Sequence, residues 1–411
     1  MAIIKAFKAV RPAQEVAEKV ASVPYDVVNR NEAAELASNN PINFLRVTRS
    51  EIELDKNTDP YNESVYLKAK ENFQKLIDDG HLVQDEEAKF YIYRLIMGEQ
   101  TQFGIAATFS VNDYDNNIIK KHEKTRKVKE DDRTNHIVTT EAQTGAVFLT
   151  YKGVDDINLI VEKTVNDNEP LYDFTTHDGV QHTIWAIPTD FNDIITFEIG
   201  KVENLYIADG HHRAASASRA QKVKRETVVN QTGAEEYNFF MAVLFPAEQL
   251  KILPYNRIVF SLNDLSESEF IENLKENFNL AETGIDSPKN KKEISMYFQK
   301  SWYTLTPNEN VKAGEKIGDN LDVSILQNYL LNPVLGIEDP RTSNNVDFIG
   351  GIRGTKELEK RVDSGEAKVA FSLYPVSIDD LIAISDADEI MPPKSTWFEP
   401  KLRDGLLVHK I

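Results

Sequence analysis

The chain contains no cysteine among its 411 residues. This absence excludes disulfide bonds, thiolate metal sites and cysteine nucleophiles. Long apolar runs are also missing: YIYRLIM and FFMAVLF have the length of a strand, whereas a membrane-spanning helix needs about 20 apolar residues. The N-terminal stretch MAIIKAFKAVRP lacks the hydrophobic block of a signal peptide. We therefore expect a cytoplasmic protein that does not enter a membrane.

Positive charge is scarce, because 47 lysines and arginines stand against 66 acidic residues, for a net charge of −19. Nucleic-acid binders are usually basic, so we expect no nucleic-acid partner. An anionic small-molecule substrate would need a local basic pocket to overcome the repulsion from this negative net charge. The sequence also has no Walker loop, no His-Arg-Asp kinase loop, no Gly-x-Ser-x-Gly elbow and no His-Glu-x-x-His zinc motif. These absences exclude the familiar nucleotide enzymes.

Helices and strands alternate without a regular βαβ rhythm, and hairpins are frequent, which favours an α+β fold. One helix is predicted over residues 61–79, and Asp178-Gly179 marks the turn of a hairpin. Ser266 and Glu269 form the sequence pattern of a capping box. The sequence pattern changes near residue 260, where this capped helix, a polar stretch and further helices follow. We therefore divide the chain into a core over 1–260 and a C-terminal α/β region over 261–411, which either packs onto the core or continues it as one fold.

The segment NLYIADGHHRAASASRA, residues 204–220, predicts a strand that turns abruptly into a helix rich in small residues. A helix N-terminus presents unpaired N–H groups and attracts anions, and glycine lets a ligand approach the backbone. Arginine and histidine side chains donate to phosphoryl oxygens. We interpret this corner as a phosphate-binding site; its candidate residues are Gly210, His211, His212 and Arg213.

Asp209 precedes this corner and would bind Mg²⁺ or position a hydroxyl group. Two other interpretations of the corner stay open. In one, Asp209 only caps the helix, the histidines are surface residues and Arg213 forms a salt bridge. In the other, His211 and His212 bind zinc in a hydrolase or metal enzyme, although adjacent helical residues point about 100° apart.

A second basic cluster, KKHEKTRK, spans residues 120–127. One interpretation is a solvated face paired with the following acidic residues. The other is a clamp on the phosphoryl donor, because phosphoryl transfer needs positive charge around the transferred group. Its candidate donor contacts are His122, Lys124, Thr125 and Arg133.

Phosphoryl transfer to an alcohol also needs a carboxylate that accepts the hydroxyl proton. The candidates for this base are Asp26, Glu123 and Asp209. The segment MPPKSTWF near the C-terminus predicts a rigid turn that presents a cation and two hydroxyl groups. Its candidate substrate or phosphate contacts are Lys394, Ser395 and Thr396, and the alternative is a docked tail segment.

The corner resembles the phosphate-binding element of the ParB/sulfiredoxin superfamily, in which a strand leads into a Gly-x-x-Arg turn and a helix rich in alanine. Further segments resemble the signature blocks of a large microbial family known as domain of unknown function ten-fifteen. These segments are VPYDVV (23–28), NPINFLRV (40–47), IIKKHEKT, ILPYNRIV (252–259) and MPPKSTWFEPKL (391–402).

The resemblance implies a ParB/sulfiredoxin-like mixed-sheet core elaborated by hairpins, related to free serine kinases. These enzymes phosphorylate the hydroxyl group of L-serine with ATP, ADP or pyrophosphate as donor, and we expect Mg²⁺ as cofactor. A ParB-like nucleotide-binding regulatory protein without kinase activity is the alternative. The block near residue 255 departs from the family pattern, because Asn256 stands where histidine is common, while Arg257 is retained as a candidate contact.

Overall fold

The computed structural model describes residues 2–411. Its strands are β1 Ile4–Lys5, β2 Val10–Pro12, β3 Leu82–Gln84, β4 Tyr91–Met97, β5 Gln100–Ser110, β6 Ile119–Lys120, β7 Ala142–Gln143, β8 Val147–Tyr151, β9 Tyr172–Thr175, β10 Gln181–Ala186, β11 Leu205–Asp209, β12 Phe239–Pro246, β13 Lys251–Leu253, β14 Tyr255–Val259, β15 Phe278–Glu282, β16 Ile294–Phe298, β17 Ser301–Pro307, β18 Val346–Gly350, β19 Val369–Leu373, β20 Trp397–Glu399 and β21 His409–Lys410.

The α-helices are α1 Ala17–Val20, α2 Arg30–Ala37, α3 Leu45–Thr48, α4 Glu63–Asp78, α5 Val111–Asp115, α6 Lys127–Thr140, α7 Asp155–Asp167, α8 Asn192–Gly200, α9 His211–Thr227, α10 Glu267–Lys275, α11 Asp322–Leu326, α12 Thr355–Asp363 and α13 Ile378–Asp386. Helix α4 confirms the prediction over 61–79, and α10 begins with the predicted capping box of Ser266 and Glu269. None of the helices in this described part of the chain has both the length and the apolarity needed to cross a bilayer.

The chain forms two compact units. The first unit contains residues 1–121, 125–250 and 400–411, and the second contains 122–124 and 251–399. The first unit therefore receives the last residues of the chain. Whether the chain divides near residue 260 into two domains that fold independently stays a prediction.

The first unit is built on a mixed sheet with the strand order β6-β11-β8-β12-β5-β4-β10-β9, and β1 pairs with β5. The pairs β11–β6 and β12–β8 are parallel, and the other pairs are antiparallel. The hairpin β9–β10 confirms the predicted hairpin at Asp178-Gly179, and β4 and β5 form a second hairpin. The apolar face of this sheet packs against α7, α8 and α9, whose inward residues include Ile157, Ile195 and Ala217. The fold is α+β, as the sequence predicts.

The second unit contains a six-stranded sheet with the order β15-β17-β16-β19-β14-β18, and all its pairs are antiparallel. Helix α12 covers one face through buried Leu358, which packs with Ile258 and Ala370. A separate two-stranded sheet joins β13 to β20. The segment 391–402 lies around β20, and its residues up to Glu399 belong to this unit.

Candidate active site

The predicted strand–corner–helix is present: β11 ends at Asp209 and α9 begins at His211. Gly210 joins them with φ at +93°, a left-handed conformation that strongly favours glycine. A Cβ atom at this position would lie 3.3 Å from Nε of Arg213, a tight contact that the side chain of Arg213 would have to relieve by a small shift. Since Gly210 provides no side-chain cap, the first N–H groups of α9 can bind an anion.

Arg213 extends from the first turn of α9 and is buried. It donates to the carbonyl oxygen of Ala146. One guanidinium nitrogen lies 3.9 Å from Oδ2 of Asp26 and 3.7 Å from Oδ2 of Asp209. Burial by itself lowers the pKa of Arg213, but the two carboxylates raise it above the ordinary value. The structure therefore holds a charged guanidinium between two predicted candidate bases.

The C-terminal segment adds Lys401 and Asp404 to this place. Nζ of Lys401 lies 3.1 Å from Oδ2 of Asp209. Asp404 is 3% exposed, and burial raises its pKa to about 7 although the charge of Arg213 opposes the rise. The approach of Asp404 requires Gly145, where a Cβ atom would lie 2.8 Å from the carboxylate. We call Asp26, Asp209, Arg213, Lys401 and Asp404 the corner cluster.

Arg133 of α6 lies beside the corner cluster, because it lines the same small cavity as Arg213 and Asp404. Its guanidinium stacks 4.2 Å from the ring of Tyr25 and pairs with Asp132 at 3.0 Å. A cavity of about 30 Å³ lies among Arg133, Tyr25, His136, Arg213 and Asp404. This volume admits one or two water molecules. Asp26 is the most exposed carboxylate of the corner cluster, since its side chain is 42% exposed.

The two histidines of the corner have different surroundings. His211 is buried at the first position of α9. Nε2 of His212 accepts a hydrogen bond of 3.0 Å from the backbone N–H of Arg126, the residue before α6. Because an amide nitrogen can only donate, this Nε2 carries no proton and the ring is neutral. In this conformation His212 supports the start of α6 and does not offer Nε2–H to a phosphate.

Asp209 does not fit a Mg²⁺ site in this arrangement. Its Oδ1 accepts the N–H of Gly210 at 2.9 Å, and its Oδ2 faces the positive charges of Lys401 and Arg213. Within residues 2–411, no group of three or more histidine and acidic side chains is arranged to hold a metal ion. We therefore derive no step through Mg²⁺ held by the protein.

The predicted donor clamp is divided between the two units. Thr125 belongs to the first unit, where its hydroxyl donates to the carboxylate of Glu130. His122, Glu123 and Lys124 belong to the second unit. His122 is almost fully buried, and its Nε2 lies 3.4 Å from Oγ1 of Thr396. The structure thus brings together two predicted residues that are 274 positions apart.

The remaining candidates also lie in the second unit, where most of their contacts shape a turn. Oγ of Ser395 donates to the carbonyl of Pro392 at 2.6 Å. Lys394 has φ at +56°, and its Nζ lies 5.5 Å from the ring of Tyr255. Arg257 is buried and donates to the carbonyl oxygens of Tyr255 and Pro393.

Asn256, the departure from the family pattern, accepts the backbone N–H of Leu373 at 3.1 Å. Its side chain is buried and bonds a neighbouring strand. The side-chain oxygen of Asn256 is therefore used in a contact within the sheet.

The residues that sequence reasoning missed are Lys401, Asp404, Tyr25 and His136. His136 lines the small cavity, and burial lowers its pKa to about 4. Lys401 lies in the same segment as Lys394, but nothing local distinguishes its role. Asp404-Gly405 has the signature of a turn, which gives no indication that the carboxylate turns inward.

The site is thus a strand–glycine–helix corner in an α+β unit, lined by two cations and three carboxylates. The profile of the family described as "Protein of unknown function (DUF1015)" matches residues 4–324, and the chain belongs to this family. Lys401 and Asp404 lie beyond the matched residues. No curated protein is detectably similar to the chain in sequence.

Solved structures show a distant likeness. SbnI with a C-terminal truncation from Staphylococcus aureus has a TM-score of 0.40 and 12% identity, covering 74% of this chain and 87% of that chain. A free serine kinase in complex with AMP has a TM-score of 0.38 and 11% identity, covering 74% and 91%. A conserved hypothetical protein from Pyrococcus furiosus has a TM-score of 0.37 and 12% identity, covering 74% and 95%.

Proposed function

We propose that this protein is a small-molecule phosphotransferase that phosphorylates the hydroxyl of free L-serine to O-phosphoserine with a nucleotide or pyrophosphate donor. The observation that carries the proposal is the position of Arg213 and Lys401 beside Asp209 at the uncapped start of α9. Cations and helix N–H groups stabilise the charge on a transferred phosphoryl group. The choice of L-serine rests on the resemblance of the sequence motifs to free serine kinases.

In the proposed reaction, the donor phosphates bind the N–H groups after Gly210 and the side chains of Arg213 and Lys401. Phosphate oxygens there would replace Asp209 as the partners of both cations, which frees the carboxylate. Asp209, or the more exposed Asp26, then takes the proton of the acceptor hydroxyl. The hydroxyl oxygen forms the new P–O bond, and the P–O bond to the donor breaks. The remaining nucleotide or phosphate leaves with the electron pair.

Other predicted contacts also belong to the proposal, but we assign them no individual role in the reaction. Glu123 is the third candidate base, and His122, Lys124 and Arg257 are candidate donor or substrate contacts. Lys394, Ser395 and Thr396 are candidate contacts to the substrate or its phosphate. Each is proposed on the basis of residue type and motif.

The experiment is a donor panel. The purified chain is incubated with L-serine and ATP, ADP or pyrophosphate, each with Mg²⁺ or with EDTA, and phosphoserine is measured by mass spectrometry. Asp209→Asn should lower turnover about 10²-fold or more if Asp209 is the base. Asp167→Asn, an exposed change at the end of α7, is the matched control. Nucleotide binding by calorimetry without product from any donor would contradict the kinase and favour a nucleotide-binding regulatory protein.

A further inference from the structure

The second unit contains a cavity of about 290 Å³. This is near the lower end of the range for small-molecule sites, so it suits a small ligand. Its walls are largely apolar and include Leu321, Val323 and Val376. Lys291, Asp322 and Asp380 bring charge to the cavity. An apolar cavity with a few convergent polar groups is the usual form of a ligand site.

Asp322 is the buried carboxyl group of this cavity. It is the first residue of α11 and is 9% exposed. Oδ1 accepts the backbone N–H of Lys292 at 2.8 Å. Burial raises its pKa to about 6; the neighbouring charges of Lys291 and Lys292 oppose the rise, and that of Asp380 adds to it. A carboxylate in this position is costly unless a cation approaches it.

Lys291, the lysine that lines the cavity, already forms an ion pair with Asp380. Nζ of Lys291 lies 2.6 Å from Oδ2 of Asp380. The same carboxylate closes the capping box of Ser377 at the start of α13. In the described part of the chain, Asp322 forms no ion pair with a lysine, arginine or histidine side chain. The cavity therefore carries one carboxyl group more than its side-chain cations balance.

Ser395 supplies a second acceptor at the cavity wall. Its hydroxyl hydrogen is used in the bond to Pro392. The hydroxyl oxygen keeps acceptor capacity, since a hydroxyl group donates once but can accept through two lone pairs. An acceptor oxygen and a buried carboxyl group that line the same cavity suit a ligand that donates several hydrogen bonds. An ammonium group donates up to three hydrogen bonds, whereas the oxygens of a phosphate accept them.

We propose that this cavity is a binding site for a small molecule with an ammonium group and a short apolar body. The ammonium group binds Asp322, and the apolar body lies against Val323 and Val376. This site is separate in its residues from the corner cluster. Ser395, a candidate substrate contact in the proposed function, also lines this cavity, but amine binding here does not require kinase activity.

The test is calorimetric titration of the full-length protein with n-butylamine, with n-butanol and butyrate as neutral and anionic counterparts. The amine should bind, and the alcohol and the acid should not. Asp322→Asn should weaken amine binding about tenfold or more, because it removes a charge-assisted hydrogen bond. Asp379→Asn, an exposed change in the first turn of α13, should leave it unchanged.

A second variant, Val376→Phe, fills the cavity without changing its charge and should also reduce amine binding. It decides the matter if Asp322→Asn fails to fold, as judged by circular dichroism. The proposal is overturned if the amine shows no saturable binding. It is also overturned if butyrate binds equally well, or if both variants bind the amine with unchanged affinity.

Discussion

Nζ of Lys401 and Oδ2 of Asp209 lie 3.1 Å apart although 192 positions separate the two residues. The pair is partly buried, because the side chain of Lys401 is 13% exposed and that of Asp209 is 30% exposed. The contact joins the C-terminal segment of the first unit to the strand that ends at the corner. The last residues of the chain are therefore part of the candidate site.

The first prediction concerns Lys401. Lys401→Met keeps the apolar stem but removes the charge, so we expect pyrophosphate to bind about tenfold more weakly in calorimetric titration. Lys410→Met changes an exposed lysine of the same segment and is the matched control. If both variants bind pyrophosphate like the unchanged protein, Lys401 is only a structural partner of Asp209.

The second prediction concerns Gly210. Gly210→Ala forces alanine into φ +93° and places its Cβ 3.3 Å from Nε of Arg213. Gly179→Ala meets a similar φ of +80° with no atom within 4 Å, and it isolates the backbone cost. That cost is about 1–2 kcal/mol. In urea unfolding, Gly210→Ala should lose more stability than Gly179→Ala, and it alone should weaken pyrophosphate binding. Equal losses would show that Arg213 adjusts without strain.

The third prediction concerns pH and Asp404. Burial raises the folded-state pKa of this carboxyl group from 3.8 to about 7. The folded protein therefore holds the proton more tightly than the unfolded chain, and this contribution to stability is lost as the pH rises from about 4 to about 7. Asp404→Asn does not ionise, so its stability relative to the unchanged protein should rise over this range.

The expected rise is on the order of 2–4 kcal/mol, since each pKa unit corresponds to about 1.4 kcal/mol. The measurement is the free energy of unfolding in urea at several pH values. Asp167→Asn is the control, because the side chain is exposed at the end of α7. Parallel pH profiles for Asp404→Asn and the unchanged protein would contradict the prediction.

The corner could be predicted from the sequence because its signals are local. An apolar run, a glycine and a stretch of small residues specify β11, the turn and α9 within 23 positions of the chain. The capping box of α10 was likewise readable from Ser266 and Glu269. Hydrogen-bonding residues at a helix start leave a pattern in adjacent positions. No tertiary contact is needed to recognise it.

The rest of the site could not be predicted because it depends on tertiary contacts. The return of the chain to the first unit brings Lys401 to Asp209, and no pattern near Lys401 indicates its partner. His212 is adjacent to His211, but its ring accepts a backbone N–H 86 positions earlier. The residue types near the corner indicated anion binding. The partner of each side chain followed only from the fold.

The last prediction concerns the anchor of the C-terminal segment. Arg403 is 4% exposed and donates to the carboxylate of Asp178 and to Oγ1 of Thr176, at the turn between β9 and β10. Its backbone N–H donates to the hydroxyl of Tyr93 at 3.2 Å. Asp178→Asn would leave the buried guanidinium of Arg403 without its carboxylate. Because the side chain of Asp178 is 40% exposed, solvent screens the pair, and we expect a cost of about 1 kcal/mol.

We expect this cost to appear as faster amide exchange in residues 400–411 and as weaker pyrophosphate binding, although Asp178 does not contact the corner cluster. Asp190→Asn, an exposed change before α8, should alter neither measurement. In a double-mutant cycle, Asp178→Asn should weaken binding less when Lys401 is already methionine, because both changes act through the same lysine. Additive effects would show that Asp178 stabilises the fold without positioning Lys401.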